Sequence, residues 1–203
     1  MSFKKIDPEL ISRLGEKGIE SPNPFQAAII PKIKSGVHVY GIGEKGCGKT
    51  TTILLSVLNK LKMAPKGDNP RAVIFVQDRK AALELEEQFV ALTRYTDLRI
   101  LPIYEEGDWQ IQKNLIYPGI DILIATPKRF AKLYFLNGIN LNELEMLIIE
   151  DADFLISSSA HTDINRITES LKKGQFLVFA SKFEGKVKAL KELFMARSVI
   201  VKG

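Results

Sequence analysis

A chain of 203 residues with 45% apolar content can bury one substantial core, and two full domains are not expected. The formal charge of +5 arises between Glu169 and Gly203, where there are eight Lys or Arg and three Asp or Glu, so the remainder is neutral. With a single cysteine, no signal-peptide layout and no apolar run long enough to span a bilayer, the expectation is a cytoplasmic monomer with no membrane partner. The basic tail suits a phosphate-backbone partner and suits a solvated helix face equally.

Behind an aromatic-led start at Phe3, Pro8 to Lys17 carries Leu10, Ile11 and Leu14 at helical spacing and is closed by Gly18. Ser21, Pro22, Asn23 and Pro24 form a turn. Phe25 to Ile33 then reads as a helix into which Pro31 intrudes, and Gly36 ends it before an apolar strand at Val37 to Tyr40. Gly43, Glu44, Lys45, Gly46, Cys47, Gly48, Lys49 and Thr50 follow, a complete Gly-x-x-x-x-Gly-Lys-Thr loop that opens an apolar helix at Thr51. In that setting backbone N–H groups at a helix N-terminus hold phosphates, Lys49 reaches the β and γ positions, and Thr50 ligates Mg2+. Cys47 reads as a loop filler rather than a nucleophile.

Downstream, Arg71 to Val76 is a buried-strand pattern, Lys80 to Leu92 a helix with acidic outer positions, and Arg99 to Ile103 another strand. Asp121 to Ala125 is a strand ending at Thr126-Pro127, and Lys128 to Leu136 is helical. Leu144 to Ile149 delivers Glu150 and Asp151, and Phe176 to Ala180 repeats that geometry one helix later. Ala64 to Asn69 and Ser157 to Ser159 read as loops. The alternation predicts an α/β fold, a doubly wound parallel sheet of about seven strands.

Such sheets bind ligands at the C-terminal ends of their strands. Four segments lie there: the phosphate loop, Gln77-Asp78-Arg79, Thr126 to Arg129, and Glu150 to Asp153. Glu150 stands where a phosphate-loop protein needs a carboxylate for Mg2+, Asp151 is the candidate to orient the attacking water or accept its proton, and Asp153 reads as structural, bonding near Ala180 and Ser181. Alone, Gln26 reads as a solvated helix amide; the two prolines before it hold an extended turn able to aim that amide, both donor and acceptor, at an adenine edge.

From Phe3 to Val201 the chain resembles the first RecA-like domain of a DEAD-box RNA helicase. Gly18 to Gln26 is similar to that family's Q motif, whose glutamine reads adenine, and Phe3 corresponds to its base-stacking aromatic. Gly43 to Thr50 matches motif I. Gln77 to Ala82 takes the place of motif Ia, keeping only Arg79 and Ala82. Gly107 belongs to a glycine doublet whose first member is Glu106, and Thr126-Pro127-Lys128-Arg129 resembles motif Ib with Lys128 in place of a glycine. Glu150-Asp151-Ala152-Asp153 stands for Asp-Glu-Ala-Asp, and Ala180-Ser181-Lys182 for Ser-Ala-Thr.

The resemblance implies ATP and Mg2+ as ligands, with Lys49, Glu150 and Asp151 in catalysis, Thr50 and Glu150 on the metal, and Gln26, Phe3 and the loop through Thr51 on the nucleotide. It implies RNA contacts from Arg79, Gly107, Thr126, Lys128 and Arg129. The exchanged acids shift metal and base in different directions, and a displacement of about 1 Å costs about 100-fold in rate. Residues 1–35 are expected to be Q-motif helices and 36–203 the sheet core of one domain, with the family's second RecA-like domain missing. The expectation is weak or conditional hydrolysis, weak single-stranded RNA binding and dependence on a second domain or protein partner. The alternative is a degenerate protein-interaction module that retains the fold.

Overall fold

A computed structural model describes residue 3 and residues 6–156, 159–171 and 173–203; Ser157 and Ser158 of the predicted loop lie outside the described residues. Helix α1 (Pro8–Glu16) starts at Asp7, whose side chain accepts from Glu9 N, has Pro8 in its first turn, and stops before Gly18 at φ +75°. Helix α2 (Pro24–Lys34) is fixed by a reciprocal box: Asn23 Oδ1 accepts from Gln26 N at 2.8 Å, and Gln26 Oε1 accepts from Asn23 N at 3.1 Å. Pro31 does not break it. The ring sits on the exposed side, while Phe25, Ile29, Ile30 and Ile33 anchor the opposite face.

The sheet has seven strands: β1 (Val39–Ile42), β2 (Ala72–Phe75), β3 (Ile100–Ile103), β4 (Ile122–Ala125), β5 (Met146–Ile149), β6 (Gln175–Ala180) and β7 (Val199–Lys202). Their order is β3-β4-β2-β5-β6-β1-β7, and every pairing is parallel. The remaining helices are α3 (Lys49–Leu61), α4 (Arg79–Thr93), α5 (Trp109–Ile116), α6 (Pro127–Phe135), α7 (Ala160–Glu169) and α8 (Gly185–Leu193). One apolar layer joins α1 to α4 to one face of the sheet, and a second joins α6, α7 and α8 to the other. The doubly wound architecture is therefore as the alternation predicts.

The first strand lies two residues later than its predicted position at Val37 to Tyr40. Val37 O instead accepts from Gln175 Nε2 at 2.7 Å, and His38 Nδ1 accepts from Phe176 N at 3.0 Å. Gly41 continues the strand because a Cβ there would lie 2.6 Å from the Phe179 ring and 2.7 Å from Ile29.

The opposite end of the sheet is tied by charge. Asp121, fully buried ahead of β4, accepts from Arg71 Nη2 at 3.0 Å and from Arg99 Nε at 2.9 Å, linking the starts of β2 and β3. Burial pushes the Asp121 carboxyl up, but bonds from Arg99, from the Lys66 backbone and from Arg71 outweigh it and hold the group below its ordinary value.

Candidate nucleotide site

The sheet order puts the end of β6 between the ends of β1 and β5, so the phosphate loop, Ser181 and the acids after β5 are neighbours. Gly46 and Gly48 hold φ values of +90° and +95°, which glycine adopts without the Cβ penalty. A Cβ on Gly48 would also lie 2.6 Å from Gln26 Nε2 and 2.8 Å from Asn23 Nδ2. Cys47 is half-buried beneath Gly43, consistent with a filling role.

Gly48 caps α3 without a side-chain hydrogen bond, leaving the first backbone N–H groups of the helix to an anion. Lys49 Nζ donates to Gly43 O at 2.6 Å and lies 3.5 Å from Asp151 Oδ1. Thr50 Oγ1 donates to Glu150 Oε1 at 2.8 Å. Lys49, Thr50, Thr51, Glu150 and Asp151 share a cavity of about 430 Å³, with Lys45 and Gly46 at its rim; Glu44 and Lys45 are exposed.

Burial raises the Glu150 carboxyl above its ordinary value; the Thr50 hydrogen bond partly offsets this, and the Asp151 charge adds to it. A half-buried carboxylate beside a threonine hydroxyl forms a hard oxygen pair, the donor chemistry that suits Mg2+ when phosphates and water complete the shell. The residues present therefore fit that ion.

Asp151 has φ +51°, a left-handed conformation costing a non-glycine residue about 1–3 kcal/mol. The bend turns the chain from β5 into a short 3-10 helix, Ala152–Ile156. There Asp153 accepts from Ser181 N and Ser181 Oγ, both at 2.7 Å, the structural role the sequence suggests.

Gln26 is almost fully buried, its Oε1 in the α2 cap and its Nε2 on Gly48 O at 3.4 Å, while Asn23 Nδ2 donates to Cys47 O at 3.0 Å. The amide thus faces the phosphate loop. Phe3 is packed in the apolar layer of α1 and α2, away from the residues that line the phosphate cavity.

Of the predicted RNA-contact residues, Thr126 and Arg129 are engaged within the fold. Thr126 donates to the Glu105 carboxylate, and Arg129 is buried, with Nη2 donating to Glu105 O at 2.6 Å and Nη1 to Gln112 Oε1 at 3.3 Å. Both hold the loop after β3 instead of facing solvent. Gly107 is in that loop, where a side chain would overlap Gln112. Lys128 and Arg79 are exposed, Arg79 resting 5.2 Å over the Tyr104 ring.

A family model described as DEAD/DEAH box helicase matches residues 23–187. The chain belongs to that family. The "ATP-dependent RNA helicase DeaD" of Mycobacterium tuberculosis is 27% identical over 193 residues, covering 94% of this chain and 34% of the relative. The "ATP-dependent RNA helicase RhlB" of Shewanella oneidensis is 28% identical over 164 residues, 78% of this chain and 37% of the relative. The chain thus spans about a third of the length of these curated relatives. A DEAD box protein from Methanococcus jannaschii superposes with a TM-score of 0.90 at 19% identity, covering all of this chain and 56% of that one. An RNA helicase from Chaetomium thermophilum, solved bound to ADP, gives 0.87 at 20% identity, covering 99% and 50%. At those identities the superpositions show the fold.

Within this helicase domain, sequence reasoning missed the wall that α4 contributes. Ala81, Glu84, Leu85 and Gln88, at spacings of one helix face, line the phosphate cavity together with Val76 and Gln77. The spacing was visible, but acidic positions on a helix read first as a solvated surface. Asn23 and Glu105 were missed because their partners, Cys47 and Thr126, are remote in sequence.

Proposed function

We propose that this chain is the ATP-binding first RecA-like domain of a DEAD-box RNA helicase, with weak or conditional hydrolysis and weak RNA affinity. The observation that carries the reading is the meeting of Lys49, Thr50, Glu150 and Asp151 around one cavity at the N-terminus of α3. Loop N–H groups and Lys49 bind the polyphosphate, for which Lys49 must exchange its bonds to Gly43 O and Asp151. Thr50 and Glu150 would hold Mg2+, which when bound neutralises charge on the phosphates. Asp151 is the group placed to orient water or take its proton, and the α2 amide of Gln26 lies beside the loop to favour adenine.

Hydrolysis is slow in this reading for two reasons. Asp151 is one methylene shorter than the family's glutamate, and an arginine finger, worth about 10^3 to 10^5 in rate in other nucleotide hydrolases, belongs to a second RecA-like domain. RNA affinity is weak because Thr126 and Arg129 are engaged with the Glu105 loop, leaving Arg79 and Lys128 on the surface. That engagement also favours the second reading, an interaction module. The test is ATP turnover with and without single-stranded RNA. The reading expects rates far below about 1 per second, rising when a second RecA-like domain is supplied; rapid turnover by the chain alone contradicts it.

A further inference from the structure

Helix α4 brings a third carboxylate to the phosphate cavity. Glu84, Glu150 and Asp151 line it against two ammonium groups, Lys45 and Lys49, and Lys49 already lies 3.5 Å from Asp151. Glu84 pairs with Lys80 at 3.8 Å, with side chains 60% and 83% exposed respectively, a geometry that neutralises little charge. A triphosphate entering this cavity therefore meets three carboxylates as well as the helix N-terminus and lysines that attract it. Glu84 also lines the adjoining groove beside Asp78 and Glu106, so it stands between the nucleotide cavity and the exposed loops after β2 and β3.

We propose that Glu84 is a specificity-determining residue that makes the site discriminate cation-bound from cation-free nucleotide. Its carboxylate repels the bare polyphosphate and is tolerated once a divalent cation has removed part of that charge. The same field reaches Glu150, where Glu84 is among the charges that push the carboxyl up. The inference rests on the ATP-binding reading and adds a residue that the phosphate-loop and acidic motifs do not contain.

The experiment is an ATP titration of the parent, Glu84→Gln and Glu87→Gln, each in excess Mg2+ and in excess EDTA. Glu87 is the control because it lies on the same helix and lines the groove but not the cavity. Glu84→Gln is expected to tighten cation-free binding by about 3- to 10-fold, the scale of one carboxylate acting on several phosphate charges through screened solvent. Mg2+-ATP affinity should change less, so the ratio of the two dissociation constants contracts, while Glu87→Gln leaves it at the parent value. An unchanged ratio in Glu84→Gln, or an equal contraction in Glu87→Gln, overturns this inference while leaving the ATP reading standing. A parent that binds ATP in neither condition overturns both.

Discussion

Thr50 and Glu150, a hundred positions apart in sequence, share a 2.8 Å hydrogen bond in the phosphate cavity, so the fold brings together the two groups suited to a cation. Burial of the carboxylate has a cost that the Thr50 hydrogen bond offsets only in part. Burial raises the Glu150 carboxyl, which means that folding with the ionised group is less favourable than folding with a neutral one.

Glu150→Gln should therefore raise the melting temperature of the nucleotide-free protein, with a gain of about 0.5–2 kcal/mol, because the amide oxygen can still accept from Thr50 while the buried charge is gone. The same variant should lose Mg2+-dependent ATP affinity. Calorimetry alongside nucleotide titration checks both effects; a destabilised variant would show that the carboxylate is a structural ion-pair member and not a strained ligand.

Gln26→Ala removes half of the reciprocal cap on α2 and the contact to the phosphate loop. The expected outcome is a loss of about 1 kcal/mol in stability, together with a smaller ATP-over-GTP preference. Equal losses for the two nucleotides would assign Gln26 to the cap and loop alone.

The ease of reading this fold from sequence varies with how local each determinant is. Buried strands such as Ile122 to Ala125 and Met146 to Ile149 are continuous apolar runs, and the phosphate loop names its own conformation through Gly46 and Gly48. Helix α5 was not legible because Ile111 and Leu115 are exposed on it, blurring the apolar stripe. Strand β7 was hidden by its half-exposed edge position. In the site, types were legible and orientations were not: Phe3 and Arg129 have the chemistry of ligand-facing groups, and packing against distant residues decides where they point.

Asp121→Asn should be severely destabilising, by about 3–5 kcal/mol, since it leaves the buried Arg71 without its strongest partner and weakens the tie to Arg99. Denaturant unfolding measures it. A change below about 1 kcal/mol would mean that Glu145 and the carbonyls around Arg71 suffice.

Stability should fall as pH drops below about 6.5, the ordinary histidine value. Burial lowers both His38 and His161, with Lys186 adding to the effect at His161, so the unfolded chain takes up protons at a pH where the folded chain does not. The loss continues until the folded groups also titrate. His38 has the clearer structural stake, because its Nδ1 must stay unprotonated to accept from Phe176 N. His38→Gln should flatten the slope of melting temperature between about pH 7 and pH 5; a parent slope retained in full by that variant would place the effect elsewhere.

In the proposed function, the cavity at the N-terminus of α3 binds ATP through the phosphate loop. The most direct measurement is a calorimetric titration of ATP and GTP in the presence of Mg2+, for the parent and for Lys49→Ala. The expected outcome is saturable one-to-one binding by the parent with ATP preferred, and a loss of about 1.5 to 3 kcal/mol in Lys49→Ala from removal of a charged hydrogen bond to phosphate. No binding by the parent, or an ATP affinity untouched by loss of Lys49, would contradict it.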